Sequence, residues 1–427
     1  MIALGNGNLW FGKNGLWLGS GNPNPNTSTS PAYSGLSGNY YFACGNYTSP
    51  YGYAFTANFG QRAWAYTPPA GYSALTLKNL PRPALGSPVI VPNQFFDVVT
   101  WTGTAAAQNI TGLNFQPDFV WAKSRSGGYD NVLNDVIRGP GKTVQSDVTS
   151  AEVNEGTTGL TAFNSNGFSL GGSSGGWNAS TVTYVGWCWK AGGSPVSNTA
   201  GTITSQVSAN IASGFSVVTY TGNNTAGATV GHGLTSVPNM IIVFRRDTTS
   251  GHKVWHSSLT AGQVLELQVT NGVQTIAAFN NAVPTSTTFA LGAYSDTNAS
   301  GGSFVAYCWT AVPGFSAFGS YAANGLADGP FVYTGFKPRF VMLKRYDSGS
   351  SESWFMVDSA RSTYNPSSNY TLANSANAEG SGTAIIDFLS NGFKPRSTAV
   401  NAGSGGPVYI YMAFASAPFT NTNGTAF

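Results

Sequence analysis

Short apolar runs alternate along the chain with stretches of Gly, Ser, Asn and Thr, and the runs recur as related strings. "FQPDFVWAKSRS" at 115–126, "SVPNMIIVFRRDT" at 236–248 and "FKPRFVMLKRYD" at 336–347 share one pattern: a proline, an apolar strand, then basic residues before a turn. Pro117, Pro238 and Pro338 stand at the start of each strand, where a missing N–H does least harm. A second block follows: "YDNVLNDVIRG" from 129, "HKVWHSSLTAG" from 252 and "SWFMVDSARS" from 353. A third reads "LTAFNSNGFSL" at 160–170, "AIIDFLSNGFKP" at 384–395 and, more weakly, "TSTTFALG" at 285–292. Its Asn-Gly pair is a hairpin signal, because both residues tolerate positive φ. No stretch has a helical period with caps, so the pattern predicts an all-β chain of tandem β-sandwich domains.

The last block is an aromatic strand: "YVGWCWKAGG" at 184–193, "FVAYCWTAVPG" at 304–314 and "VYIYMAFASAP" from 408. Side chains alternate across a strand. Val185, Trp187 and Trp189 therefore share one face and Gly186, Cys188 and Lys190 the other; Val305, Tyr307 and Trp309 stand against Cys308 in the same way. The third copy has Met412, Ala413 and Phe414 in these places. A cysteine that alternates with alanine is a small apolar filler rather than a nucleophile. Trp187, Cys188, Trp189, Tyr307, Cys308, Trp309 and Phe414 are thus expected to be structural. The boundaries expected are an N-terminal module at 1–85, a linker at 86–94, a first repeat at 95–193, a linker at 194–213, a second repeat at 214–313 and a third at 314–427.

The N-terminal "NGNLWFGKNGLWLGSGNP" reads as a hairpin around Lys-Asn-Gly. "LWFGKNG", "LSGNYYFA" and "NFGQRAWAYTPPAGYSAL" resemble the later strands of a SPRY-type β-sandwich found in large bacteriophage tail and virion proteins. "FQPDFVWAKSRS", "RGPGK", "FNSNGFSLG" and "TYVGWCWKAGG" resemble an uncharacterised phage-associated domain that often follows it. The resemblance covers most of residues 8–193 and fades through the later copies. It implies a virion protein assembled in the host cytoplasm: a tail fibre or appendage attaching to host-surface polysaccharide, with other virion subunits as partners. By analogy with phage fibres it also implies a homo-oligomer, a trimer. A capsid-decorating or scaffold protein without a receptor is the alternative, and a polysaccharide depolymerase the third reading. The resemblance implies sandwiches of the lectin or SPRY-like jelly-roll type; the strands expected before "LWFGKNG" are missing, so either a partner or neighbouring subunit completes that sheet or these residues form a reduced sandwich.

Composition narrows the chemistry. Only 8% of residues are charged, against about 25% in an ordinary soluble protein. The net charge of +3 comes without a basic cluster, which argues against nucleic acid. No run of about 18 apolar residues occurs, so no membrane insertion is expected, and the first residues show no secretory leader pattern. Cys44, Cys188 and Cys308 are too few and too scattered for a disulfide framework or a zinc site. His252 and His256 lie four apart, but on a strand that spacing is roughly 13 Å; with His232 they read as surface or turn residues. No metal and no cofactor is expected.

"RGPGKT" at 138–143 lacks the glycine five before Gly141 that a phosphate loop needs, and reads as a turn. Asp135 and Asp358 fall at matching repeat positions where the second copy is aligned with Ser257, which points to turn bonding rather than acid–base work. Glu152 and Glu155 lie in a polar loop. With no converging carboxylates, no enzyme is expected. Aromatic residues make up 13% of the chain, and two in loops, Trp177 in "GGSSGGWNAS" and Tyr129, are candidates for stacking on sugars.

Overall fold

The computed structural model describes residues 1–5, 7–23, 29–36, 65–67, 69, 72, 92–347, 351–403, 406 and 408–416. It divides into two compact units, Met1–Arg82 and Pro83–Phe427.

In the first unit, Asn8–Lys13 pairs with Ile2–Gly5 on one side and with Leu16–Trp17 on the other. Asn14 and Gly15 take φ of 49° and 83°, the paired left-handed conformation of a type I′ turn, as their sequence predicts. "LSGNYYFA" and most of "NFGQRAWAYTPPAGYSAL" lie outside the described residues, as does most of the 86–94 linker.

The second unit holds three sandwiches of antiparallel sheets. In each, the aromatic closing strand lies between the copy's opening strand and its proline-led strand. Thr183–Trp189 runs between Phe96–Thr102 and Phe119–Ser124, Ser303–Trp309 between Phe215–Thr221 and Met240–Arg245, and Val408–Ala415 between Ser316–Ala322 and Pro338–Arg345. The next strands are Val132–Asp135, Lys253–His256 and Phe355–Asp358. Smaller outer sheets cover one face: Gln108–Thr111 with the Leu160–Asn164/Gly167–Leu170 hairpin, Ala228–Gly231 with Thr288–Leu291, and Val332–Tyr333 with the Ile386–Leu389/Gly392–Pro395 hairpin. Both predicted hairpins form, but each turns on Ser-Asn (Ser165–Asn166 and Ser390–Asn391), and the glycine already pairs in the return strand. The stretch read as a 194–213 linker is corrected: Val196–Asn198 and Ser205–Asn210 extend the second copy's inner sheet.

Alternation along the closing strand decides the packing. Cys188, Cys308 and Ala413 face the outer sheets, each in its own copy's core. Val185, Trp187 and Trp189 face the other way, as do Val305, Tyr307 and Trp309, and Ile410, Met412 and Phe414; all nine are buried in one core shared by the three copies. The Trp189 ring lies 6.1 Å from Trp309 and 5.6 Å from Phe414, and Phe119 stacks on Tyr307 at 4.2 Å. An inner sheet that is apolar on both faces needs a cover on each. Its outer sheet covers one face and its two sister copies cover the other, so the repeats form a single closed unit rather than a string of separate domains.

Candidate functional site

Most of the buried charged side chains lie where one copy meets the next. The last residue of the strand after the proline-led one is Asp135, His256 or Asp358, paired with Phe119, Met240 and Phe340 respectively. His256, not Ser257, is therefore the second copy's equivalent. All three are fully buried and reach the closing strand of the next copy around the ring. Asp135 Oδ2 accepts from Tyr307 Oη at 2.9 Å, His256 Nε2 lies 3.2 Å from the Tyr411 carbonyl, and Asp358 Oδ2 accepts from Trp187 Nε1 at 3.1 Å. Met412 occupies the place of Trp187 and Tyr307 and has no donor, so His256 turns to the backbone beside it.

A second set of bonds runs around the ring in the opposite sense. Lys123 of the first copy donates to the Ala376 carbonyl of the third at 2.8 Å, and Lys344 of the third to the Thr270 carbonyl of the second at 2.6 Å. At the second copy Phe244 takes the lysine position, its ring 4.4 Å from His252, and His252 Nε2 lies 2.7 Å from the Val148 carbonyl of the first. Burial pushes Lys123 and Lys344 down to about 8, and His252 and His256 down to about 4. The expectation of surface histidines is thus overturned: 252 and 256 are 1% and 0% exposed, because the closed ring covers the strand they stand on.

Arginines three residues after the aspartates complete two of the seams. Arg138 bonds Asp135 at 2.6 Å and Glu152 at 3.1 Å, and Glu152 binds Arg246 of the second copy through both oxygens at 2.8 and 3.0 Å. Arg361 does the same with Asp358 at 2.7 Å and Glu379 at 2.8 Å, while Glu379 takes Arg125 of the first copy twice at 2.9 Å. At the third seam the same backbone contact recurs, Val273 N–H to the Tyr346 carbonyl at 2.8 Å beside Glu152 to Arg246 and Glu379 to Arg125. There Leu259, Val273 and Tyr346 are apolar and pack on the shared core. Glu152 is therefore not a loop residue in water but the centre of an ion triad. The recurring Asp-x-x-Arg of "DVIR" and "DSAR" was the signal for it.

Trp177 is corrected as a stacking candidate. It is 0% exposed in the first copy's outer core, its ring 6.1 Å from Phe168. The neighbouring Asn178 donates its amide to the Gly171 and Ala106 carbonyls. Asn298 and Asn401 are equally buried and pin their loops likewise. "WNAS", "TNAS" and "VNAG" are one repeated motif, visible in the sequence, in which the residue before Asn always faces the core. Tyr129 is 38% exposed, its ring against Gly127 and Gly175.

Two clefts open between copies. One of about 360 Å³ is lined by Asp97, Lys337, Arg339 and Ser359, with Asp97 paired to Arg339 at 3.0 Å. The other, of about 550 Å³, is lined by Asp118, Lys190 and Asn210; Asp118, raised by burial, accepts the Ala191 and Gly193 N–H groups. Each has a single carboxylate, whereas glycoside hydrolysis takes two. Among the described residues no cluster of His, Cys, Asp or Glu is placed to hold a metal ion, and no helix is long and apolar enough to cross a membrane.

The fold defines an all-β protein of three internally repeated sandwiches closed around a common core. The chain belongs to the family described as a domain of unknown function, DUF7483, whose model matches residues 91–418. That span takes in all three copies. No curated protein and no solved structure matches the chain.

Proposed function

We propose that the protein is a structural component of a bacteriophage particle, a tail fibre or appendage subunit that contributes to attachment at the host-surface polysaccharide. The observation that carries this reading is the use made of its buried ionisable groups. Asp135, Glu152, Asp358 and Glu379, with Arg138, Arg361, Lys123, Lys344, His252 and His256, are engaged in bonds within and between copies. That is the chemistry of a rigid body, with these groups committed to holding the copies together. Its low charge and polar uncharged loops suit a particle exposed to solvent on its outer sheets, and loops on a rigid scaffold are where recognition resides. Repetition of the subunit on a particle would convert weak contacts into avidity.

The test is binding of the labelled full chain to intact bacterial cells, with their extracted surface polysaccharide as competitor. Saturable binding lost on competition is expected. A chain that is present in purified particles yet binds no cell surface would transfer the reading to a decorating or scaffold subunit.

A further inference from the structure

The three copies act as internal controls for one another, and one surface departs from the pattern. On the outward side of each outer sheet the same positions can be read from the strand register. In the third copy Tyr333 pairs with Gly392 and Val332 with Phe393; Phe331 immediately precedes that strand, and Lys394, which follows Phe393, pairs with Asp387. Tyr333 is 59% exposed and Phe331 48%. In the first copy Thr111 pairs with Gly167, and Asn109 with Ser169; in the second Gly231 pairs with Thr288, and Thr229 with Ala290. The first copy's face is a hydrogen-bonded polar ladder, Asn164 to Ser169 to Asn109. The outer sheet therefore folds without aromatics here, and its two exposed rings are not a requirement of the architecture.

The Phe331 ring leans across the central strand. A Cβ on Gly392 would run into the Val332 carbonyl oxygen and meet the Phe331 Cε2 at 2.9 Å, so the close strand approach requires the glycine and the ring lies over it. Two aromatic side chains on one strand face, two residues apart, stand roughly 7 Å from each other. Beside them is a compact ion cluster. Asp328 holds Lys394 at 2.8 Å and Arg396 at 2.5 Å, and Asp387 lies 3.4 Å from Arg396. Two cations and two carboxylates balance, so the surface selects neither a polyanion nor a polycation. It offers apolar ring surface next to charged hydrogen-bonding groups.

We infer that Phe331 and Tyr333 form a saccharide-binding platform on the third copy, taking a polysaccharide without net charge. The C–H faces of its pyranose rings pack on the two aromatics, and its hydroxyls bond to Lys394, Asp387 and Asp328. The inference deepens the glycan-attachment reading above and rests on it.

The full chain is titrated by calorimetry with a panel of neutral oligosaccharides (dextran, mannan, chito- and galacto-oligosaccharides) alongside Phe331→Asn and Tyr333→Thr, which install the first copy's residues and so keep the fold. Binding to at least one member, weakened by about tenfold or more in Kd by either substitution, with Tm unchanged, is the expected result. Wild type that binds no member, or variants that bind as tightly as wild type, overturn the platform. The Phe331→Asn/Tyr333→Thr double variant in the cell-binding assay separates the two claims. Unaltered saturable cell binding removes the platform and leaves the attachment role. Oligosaccharide binding through these residues without any cell binding keeps the platform and removes the role.

Discussion

The Tyr307 hydroxyl lies 2.9 Å from Asp135 Oδ2, across a seam between residues 172 positions apart in the chain. Arg138 meets both, donating to Asp135 at 2.6 Å and to Tyr307 Oη at 2.9 Å, so a side chain from one sandwich is held by an ion pair of another. Asp358 and Trp187 repeat the relationship between the third copy and the first. The seams, more than the individual sandwiches, are where this fold concentrates its buried charge.

Tyr307→Phe removes the hydroxyl and leaves the ring stacked on Phe119. Asp135 retains Arg138 and the Ile137 and Arg138 N–H groups. A loss of about 1–2 kcal/mol in denaturant unfolding is expected. An unchanged midpoint would show that the seam bond contributes nothing.

Glu152→Ala leaves Arg138, whose side chain is wholly buried, and Arg246 without their shared carboxylate. Arg138 keeps Asp135 at 2.6 Å, so about 2 kcal/mol should be lost, the cost of leaving charged donors one acceptor short. Asp347→Ala, which breaks a partly exposed pair with Arg345, should cost under about 1 kcal/mol. Equal losses in chemical denaturation would contradict this account.

His252 and His256 stay neutral when folded, pushed down to about 4 from the ordinary 6.5 by burial. The unfolded chain then binds more protons than the folded one between about pH 6.5 and 4. Stability is whole above that window and falls as pH drops through it, by on the order of 2–3 kcal/mol per histidine. Thermal scans from pH 8 to 4 should show it, and His256→Gln should flatten the slope.

Asp147 behaves in the opposite sense. Burial, with Asp130 nearby, raises it from 3.8 to about 6, so the folded state holds its proton more tightly. This group's effect favours folding below about pH 4 and is lost as pH rises through about 6. The equivalent side chains are Gln268 and Asn374, which accept the His252 and Trp354 N–H groups as Asp147 accepts that of Asn131. Asp147→Asn should stabilise the protein at pH 7 by about 1–2 kcal/mol, allowing for partial solvent screening, and leave it unchanged at pH 4. A loss of stability at pH 7 would contradict the assignment.

Cys188 and Cys308 are fully buried, and burial raises both thiols above their ordinary value. Neither should react with a thiol reagent until the protein unfolds. Cys308→Ala, the third copy's residue, should cost under about 2 kcal/mol. Rapid labelling of Cys188 or Cys308 in the native chain, located by peptide mapping, would show that the outer cores open.

The all-β class, the three copies, their hairpins and the filler role of Cys188 and Cys308 were legible in the chain alone. Each rests on local periodicity or on comparison of one copy with another, and neither needs distant residues. What the closing strand's Trp, Tyr and Phe residues pack against was not legible, because a period of two says that a face is apolar and not what covers it. Trp177 shows the limit: its Gly- and Ser-rich approach looked like a solvated loop, whereas the Asn178 amide folds that loop back and turns the indole inward. His252, His256, Asp135 and Glu152 show it more generally. Their burial and partners come from contacts between segments more than 90 positions apart, and only closure of the three sandwiches around one core excludes the water that would otherwise solvate them.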